Sequence, residues 1–247
     1  MPRIMTYNVH SCRGVDGRLD VGRIAAVIAQ SKPDIVALQE LDVHRPRTGR
    51  VDQAHAIAER LGMHFHFNAA LTVEEERYGD GLLTALPMRL VRSGALPNLP
   101  RVRVRGRGLE DRGALWAEIE IDSRPVQVIN THLGLVPREQ RGQALALAGA
   151  DWLGAARGPM ILVGDLNATP RASAYRTFAA RLTESRRLAR PIRRVPTFPS
   201  TFPVLALDHV FVSREVVVQA VRTPLDDTSR LASDHLPLVV DFTLSPA

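Results

Sequence analysis

Apolar residues fall along the chain in short runs, and seven of these runs have the length of buried strands: Ile4–Tyr7, Ile35–Leu38, Leu82–Leu86, Val126–Ile129, Met160–Val163, Val210–Val212 and Leu238–Val240. Between some of them the spacing changes. Val21, Ile24, Ala25 and Ile28 repeat at i, i+3, i+4 and i+7, which predicts a helix capped by Asp20 and stopped by Pro33. A second helix is predicted from Asp52 to Leu61, ended by Gly62. A third is predicted from Pro137 to Leu153, with proline in its first turn and Gly154 after it. From Leu82 to Ile129 helix signals are sparse and successive strands are expected. The stretch from Arg186 to Pro203 has no period and is expected as a surface loop rather than a linker. With no internal repeat, and helix and strand alternating at both ends, the pattern predicts an α/β protein of two packed sheets with helices outside.

Polar residues at the ends of the apolar runs add chemistry to this outline. Asn8 ends the first and Glu40 the second, His132 comes after Val126–Ile129, and Asp165 with Asn167 after Met160–Val163. Open α/β sheets collect ligands at this carboxyl edge of their strands. Asp208-His209 and Asp234-His235 instead precede their apolar runs, so they reach the same edge only if those strands run antiparallel to the others, as a mixed sheet allows. Each position alone has an ordinary explanation. Asn8 suits a turn, Glu40 an exposed strand end, His132 a structural hydrogen bond, Asp234-His235 a turn, and Gly164–Pro170 a helix cap. The order of the whole set carries the reading.

Composition narrows the possibilities. The chain has 247 residues, 45% of them hydrophobic, enough for a sizeable core. No run approaches the roughly 18 apolar residues of a membrane span. Met1–Asn8 lacks the apolar region of a signal peptide, so a cytoplasmic location is expected. Cys12 is the single cysteine, which excludes an internal disulfide and a thiolate zinc cluster; it is read as inert. A net charge of +6 suits a polyanionic partner, although Lys32 is the single lysine and an arginine bias has compositional origins too.

Six segments, Thr6-Tyr7-Asn8, Leu38-Gln39-Glu40, Asn130-Thr131-His132-Leu133, Gly164-Asp165-Leu166-Asn167, Leu207-Asp208-His209 and Ser233-Asp234-His235, resemble the endonuclease/exonuclease/phosphatase superfamily. That group includes pancreatic deoxyribonuclease, exonuclease III-like repair nucleases, sphingomyelinases and inositol polyphosphate 5-phosphatases. The resemblance implies a four-layer α/β sandwich, two mixed β-sheets face to face with helices outside, as one domain over residues 1–247. Leu41-Asp42 stands where the repair nucleases carry Thr-Lys after the glutamate, and Val9-His10-Ser11 where they carry Asn-Gly. Both departures weigh against abasic-site repair. The chain looks more like the small stand-alone bacterial members, and it has no aromatic-rich insert of the kind lipid-directed relatives use for docking.

The implied activity is metal-dependent hydrolysis of a phosphate ester. Glu40, Asp234 and the amide oxygen of Asn8 are hard donors suited to Mg²⁺, with Mn²⁺ as its expected substitute. By resemblance Asp208 pairs with His235, which serves as general base or electrostatic partner. Asp165 orients the attacking water, and Asn167 and His132 donate to phosphate oxygens. Phosphodiesters are the expected substrates, DNA or RNA ahead of lipid. The alternatives are a phospholipid phosphodiesterase or phosphomonoesterase on the same scaffold, and a non-catalytic phosphate-binding module. No membrane insertion and no obligate protein partner are expected. His10, His44, His55, His64 and His66 are read as surface or packing residues, and His209 as facing away from Asp208. Tyr78-Gly79-Asp80-Gly81 receives no catalytic role. The alternation of Arg101, Arg103 and Arg105 suits a basic face or a solvated strand edge equally.

Overall fold

The computed structural model describes residues 1–98, 110–190 and 195–246. Its twelve strands are β1 (Arg3–Asn8), β2 (Ile35–Val43), β3 (His64–Val73), β4 (Glu76–Thr84), β5 (Met88–Ala95), β6 (Gly113–Ile121), β7 (Arg124–His132), β8 (Met160–Asp165), β9 (Thr183–Glu184), β10 (Asp208–Val212), β11 (Val216–Arg222) and β12 (Leu238–Leu244). They form two six-stranded sheets, ordered β11-β12-β1-β2-β4-β3 and β5-β6-β7-β8-β10-β9. Both are mixed: β1 pairs parallel to β2 and antiparallel to β12, and β8 pairs parallel to β7 and antiparallel to β10. The strand after His235 therefore runs opposite to β1 and β2, and the strand that begins at Asp208 opposite to β7 and β8, and both polar pairs arrive at the shared edge.

Period-two alternation assigns the layers. Ile4, Ile35, Leu82 and Leu238 of one sheet meet Leu115, Val128, Ile161 and Val210 of the other in the central core. The residues between them point outward: Met5, Tyr7, Val36 and Leu38 pack against Ile24 and Ile28 of α1 (Val21–Ser31) and Ile57 of α2 (Gln53–Leu61). On the far side Trp116, Ile129, Leu162 and Phe211 receive α3 (Pro137–Leu147) and α4 (Ser173–Ala179). Two shorter helices, α5 (Ser185–Leu188) and α6 (Asp227–Ala232), complete the chain. The caps agree with the sequence: Asp20 accepts from Arg23 N and Asp52 from His55 N. Cys12 is fully buried, and burial pushes its thiol well above the usual range, as an inert cysteine requires.

Three expectations need correction. The third helix ends at Leu147, not Leu153, because Gly149 opens a series of turns; Trp152 and Leu153 still pack on the core, which sustained the helical-looking spacing. The strand expected at Leu82–Leu86 begins at Glu76 and ends at Thr84. The stretch from Arg186 to Pro203 is not simply a surface loop: Thr197 and Ser200 are fully buried, and Phe198 bridges to Leu205. Residues 191–194 of it, and the arginines at 101, 103, 105 and 107, lie outside the described residues.

The candidate active site

Glu40 owes its direction to a β-bulge. The β2–β4 register runs Leu38↔Gly81 and then Leu41↔Gly79, so Gln39 and Glu40 together oppose Asp80. Glu40 adopts φ +61°, a left-handed value costly for a residue with a side chain. The extra residue lets Leu38 and Leu41 both pack on the helix side while the carboxylate turns toward the sheet edge. Beneath the site, Asn130 joins the two sheets. It donates to the carbonyls of Leu38 and Gly81, both at 2.9 Å, and accepts from Gln39 Nε2 at 2.8 Å, with no solvent exposure.

Above that tie the polar residues converge. Asp208 Oδ2 accepts from His235 Nδ1 at 2.9 Å, and His235 Nε2 lies 3.7 Å from Asp165 Oδ2. His132 Nε2 lies 3.5 Å from the same oxygen and 4.0 Å from Glu40 Oε1. Asn8 Nδ2 donates to Glu40 Oε1 at 2.9 Å and to Asp165 Oδ2 at 3.0 Å. Asn167, at φ +48°, gives its backbone N–H to Asp165 Oδ1 at 2.8 Å and its amide to the Leu133 carbonyl at 3.0 Å. Asp234 sits at the rim, 3.9 Å from His10 Nδ1, and adds to the negative charge felt by Glu40. Phe198 stacks obliquely on His235, ring centroids 4.8 Å apart. All of these residues except Asn8, Leu133 and Asp208 line a cavity of about 810 Å³, with Leu135, Leu207, Glu110 and Glu139 on its walls; Asn8 and Asp208 are buried and reach it through Glu40, Asp165 and His235.

Burial and crowding set the charges. Burial, then repulsion by Asp208, pushes Asp165 up to about 7, against the pull of His235 and two hydrogen bonds. Glu40 is raised by burial despite the Asn8 bond. For His235, burial pushes downward but Asp208 and Asp165 outweigh it and lift the imidazolium to about 10. His132 goes the other way, held well below its ordinary value by burial and by the charges of Arg112 and His235.

This donor set fits a hard divalent cation: the charge of Asp208 raises Asp165 and that of Asp234 raises Glu40, a repulsion that a cation relieves. Two adjacent groups, joined by the bonds of Asn8 to Glu40 and Asp165, offer ligands. One is Glu40, Asn8 and Asp234. In the other, Asp165, Asp208 and His235 each present an atom within 4.8 Å of the others. In the structure Asn8 turns its Nδ2 to the carboxylates, while its Oδ1 accepts from His10 N at 3.1 Å, so ligation by its oxygen requires the amide to turn over.

Several residues of the site escaped the sequence reading. Arg112 lies against His132, its Nη1 2.8 Å from Nδ1. Asp80 is 2% exposed, and burial with repulsion from Glu40 and Asp165 pushes it up to about 8. An acid inside the apolar run Tyr78–Leu83 was the available signal. For Arg112 the signal was a charge immediately before Gly113-Ala114-Leu115-Trp116, the same placement that singled out Asp208 and Asp234. His10, read as surface or packing, lines the cavity. His209 does face away from Asp208, its Nε2 donating to the Ala168 carbonyl at 2.8 Å.

Comparison with known proteins extends over the whole chain. The family model of the Endonuclease/Exonuclease/phosphatase family matches residues 5–235. The uncharacterised protein YbhP of Escherichia coli K12 is 27% identical, covering 98% of this chain and 96% of that one. An endonuclease/exonuclease/phosphatase structure from Beutenbergia cavernae superposes with a TM-score of 0.78 at 26% identity, over 100% of this chain and 72% of its own. A mannosyl-6-phosphatase of Bacteroides thetaiotaomicron gives 0.78 at 19% identity, over 99% and 100%, a likeness of fold.

Proposed function

Because the chain belongs to the endonuclease/exonuclease/phosphatase family, we propose that it is a Mg²⁺-dependent phosphoesterase acting on phosphodiesters, with nucleic acid as the leading substrate class. The observation that carries this is the meeting of Glu40, His132, Asp165, Asn167 and His235 in one cavity, with the buried Asp208 bonded to His235. In this reading Glu40, Asp234 and Asn8 would hold the metal, which would supply Lewis-acid polarisation of the phosphoryl group. Asp165, with a pKa near 7, is suited to orient a water and accept its proton at neutral pH. His235, kept as an imidazolium by Asp208, places positive charge beside the phosphate, and Asn167 and His132 donate to its non-bridging oxygens.

A small phosphomonoester is the second reading. It is favoured by Leu135, Phe198, Leu207 and the two glutamates on the cavity walls, which suit a compact substrate better than a polyanionic strand. The first test is hydrolysis of bis-p-nitrophenyl phosphate, abolished by chelator and restored by Mg²⁺. Hydrolysis indifferent to the chelator would overturn the metal assignment. Plasmid, single-stranded DNA, RNA, phospholipid and sugar phosphates then separate the substrate classes.

A further inference from the structure

Both ring nitrogens of His132 face an N–H group. Arg112 Nη1 lies 2.8 Å from Nδ1, and Asn167 Nδ2 lies 3.0 Å from Nε2. A neutral imidazole accepts at one nitrogen and donates at the other, so one of these contacts must yield. The guanidinium cannot: all its polar atoms are donors and its charge is permanent. The Asn167 amide can, because its Nδ2 already donates to the Leu133 carbonyl at 3.0 Å. His132 is 2% and Arg112 5% exposed, so solvent does not relieve an N–H turned against the guanidinium. The proton therefore belongs on Nε2, where Asp165 Oδ2 waits at 3.5 Å.

The geometry points to Arg112 as a positioning residue that locks His132 in its Nε2–H tautomer, making it a hydrogen-bond donor to the phosphate and barring it from acting as a base on water. The catalytic half of this rests on the phosphoesterase reading; the lock itself does not. Its parts are fixed from several sides. Ala114 pairs with Thr131 across β6 and β7, which sets Arg112 beside His132. Glu110 Oε2 lies 3.1 Å from Arg112 Nη2 and accepts from the Tyr78 hydroxyl at 3.3 Å, so the guanidinium has little freedom to swing away.

Long-range ¹H–¹⁵N correlation spectra of the ¹⁵N-labelled full chain, metal-free and without substrate at neutral pH, read the tautomer directly. The His132 signals are identified by their loss in His132→Gln. The expected wild-type pattern is an unprotonated Nδ1 and a protonated Nε2. In Arg112→Met, which cannot donate, the Asn167 amide competes for Nε2 and the Nδ1–H form appears; Arg112→Lys, which keeps a cationic donor, restores the wild-type pattern. Turnover of bis-p-nitrophenyl phosphate falls about 10- to 100-fold in Arg112→Met, the usual cost of losing a group that orients a histidine. A wild-type His132 protonated on Nδ1 overturns the proposal, as does an Arg112→Met spectrum with the tautomer unchanged. Should Arg112→Met fail to fold, the wild-type spectrum still decides. A protein that hydrolyses no phosphate ester yet shows the Nε2–H pattern would defeat the reaction assignment and leave the lock standing.

Discussion

Replacing Asn130 by alanine tests whether the alignment of the two sheets sustains the site. The substitution removes two donated bonds and one accepted bond, all between fully buried partners in different sheets. Gln39 Nε2 keeps Thr6 Oγ1 and the Ala37 carbonyl as alternatives, so its loss is small. The carbonyls of Leu38 and Gly81 lose this side-chain donor, and an unsatisfied buried polar group costs about 1–3 kcal/mol. For the two carbonyls the sum is about 2–6 kcal/mol, which at roughly 2–4 °C per kcal/mol for a chain of this size lowers Tm by about 4–24 °C. Activity should fall further than stability predicts. Leu38 leads into the bulge that aims Glu40, Asn130 lies two residues before His132, and a misplacement of about 1 Å can cost on the order of 10²-fold in rate. Calorimetry gives the first quantity, and turnover measured well below the variant's Tm gives the second. Gln219→Ala, which removes an exposed bond to Thr243, is the control and should change Tm little. An Asn130→Ala protein within about 2 °C of wild-type Tm and with normal turnover would refute the reasoning.

Two further outcomes are expected. His235→Ala should lose about 10²- to 10⁴-fold in rate with metal affinity nearly unchanged, whereas Glu40→Ala should weaken both, as kinetics with Mn²⁺ titration will read; a large loss of affinity in His235→Ala would move the metal to the Asp165–Asp208–His235 group. Because Asp208 and Asp165 outweigh burial and lift His235 from 6.5 to about 10, the folded chain keeps a proton that the unfolded chain has released. That stabilisation is complete below about pH 6.5 and is lost as pH rises toward 10, so urea denaturation should show a falling stability there that His235→Gln lacks. Parallel curves would contradict it.

The site was legible in the sequence to the extent that chemistry sits beside apolar runs. Asn8, Glu40, His132, Asp165, Asn167, Asp208 and Asp234-His235 all border strands, and the antiparallel direction of two of those strands is given by whether the polar pair stands before or after its run. The bulge at Glu40 was not legible, because a period-two reading of Leu38-Gln39-Glu40-Leu41 does not reveal that one residue is skipped. Arg112 was hidden for a different reason: its run, Ala114–Ala117, mixes small and large apolar residues and did not stand out within the stretch where successive strands were expected, so the charge before it went unread. Phe198 lies in a segment whose arginines and prolines suggest solvent, yet its backbone is held by Leu205 and its ring by His235.

The place of β1 between β12 and β2 has a consequence for biosynthesis. β1 leaves the ribosome before the other strands, β2 pairs with one side of it early, and its other side waits until β12 has been translated. At about 5–20 residues per second that wait lasts tens of seconds. Throughout it, Asn8 and Glu40 lack Asp234 and His235, and a nascent chain has an open sheet edge and an incomplete site. The arrival of β12, with the Asp234-His235 pair just before it, thus closes the open side of β1 and completes the candidate site in one event, so a chain that stops short of Asp234 lacks both the partner strand and these two side chains.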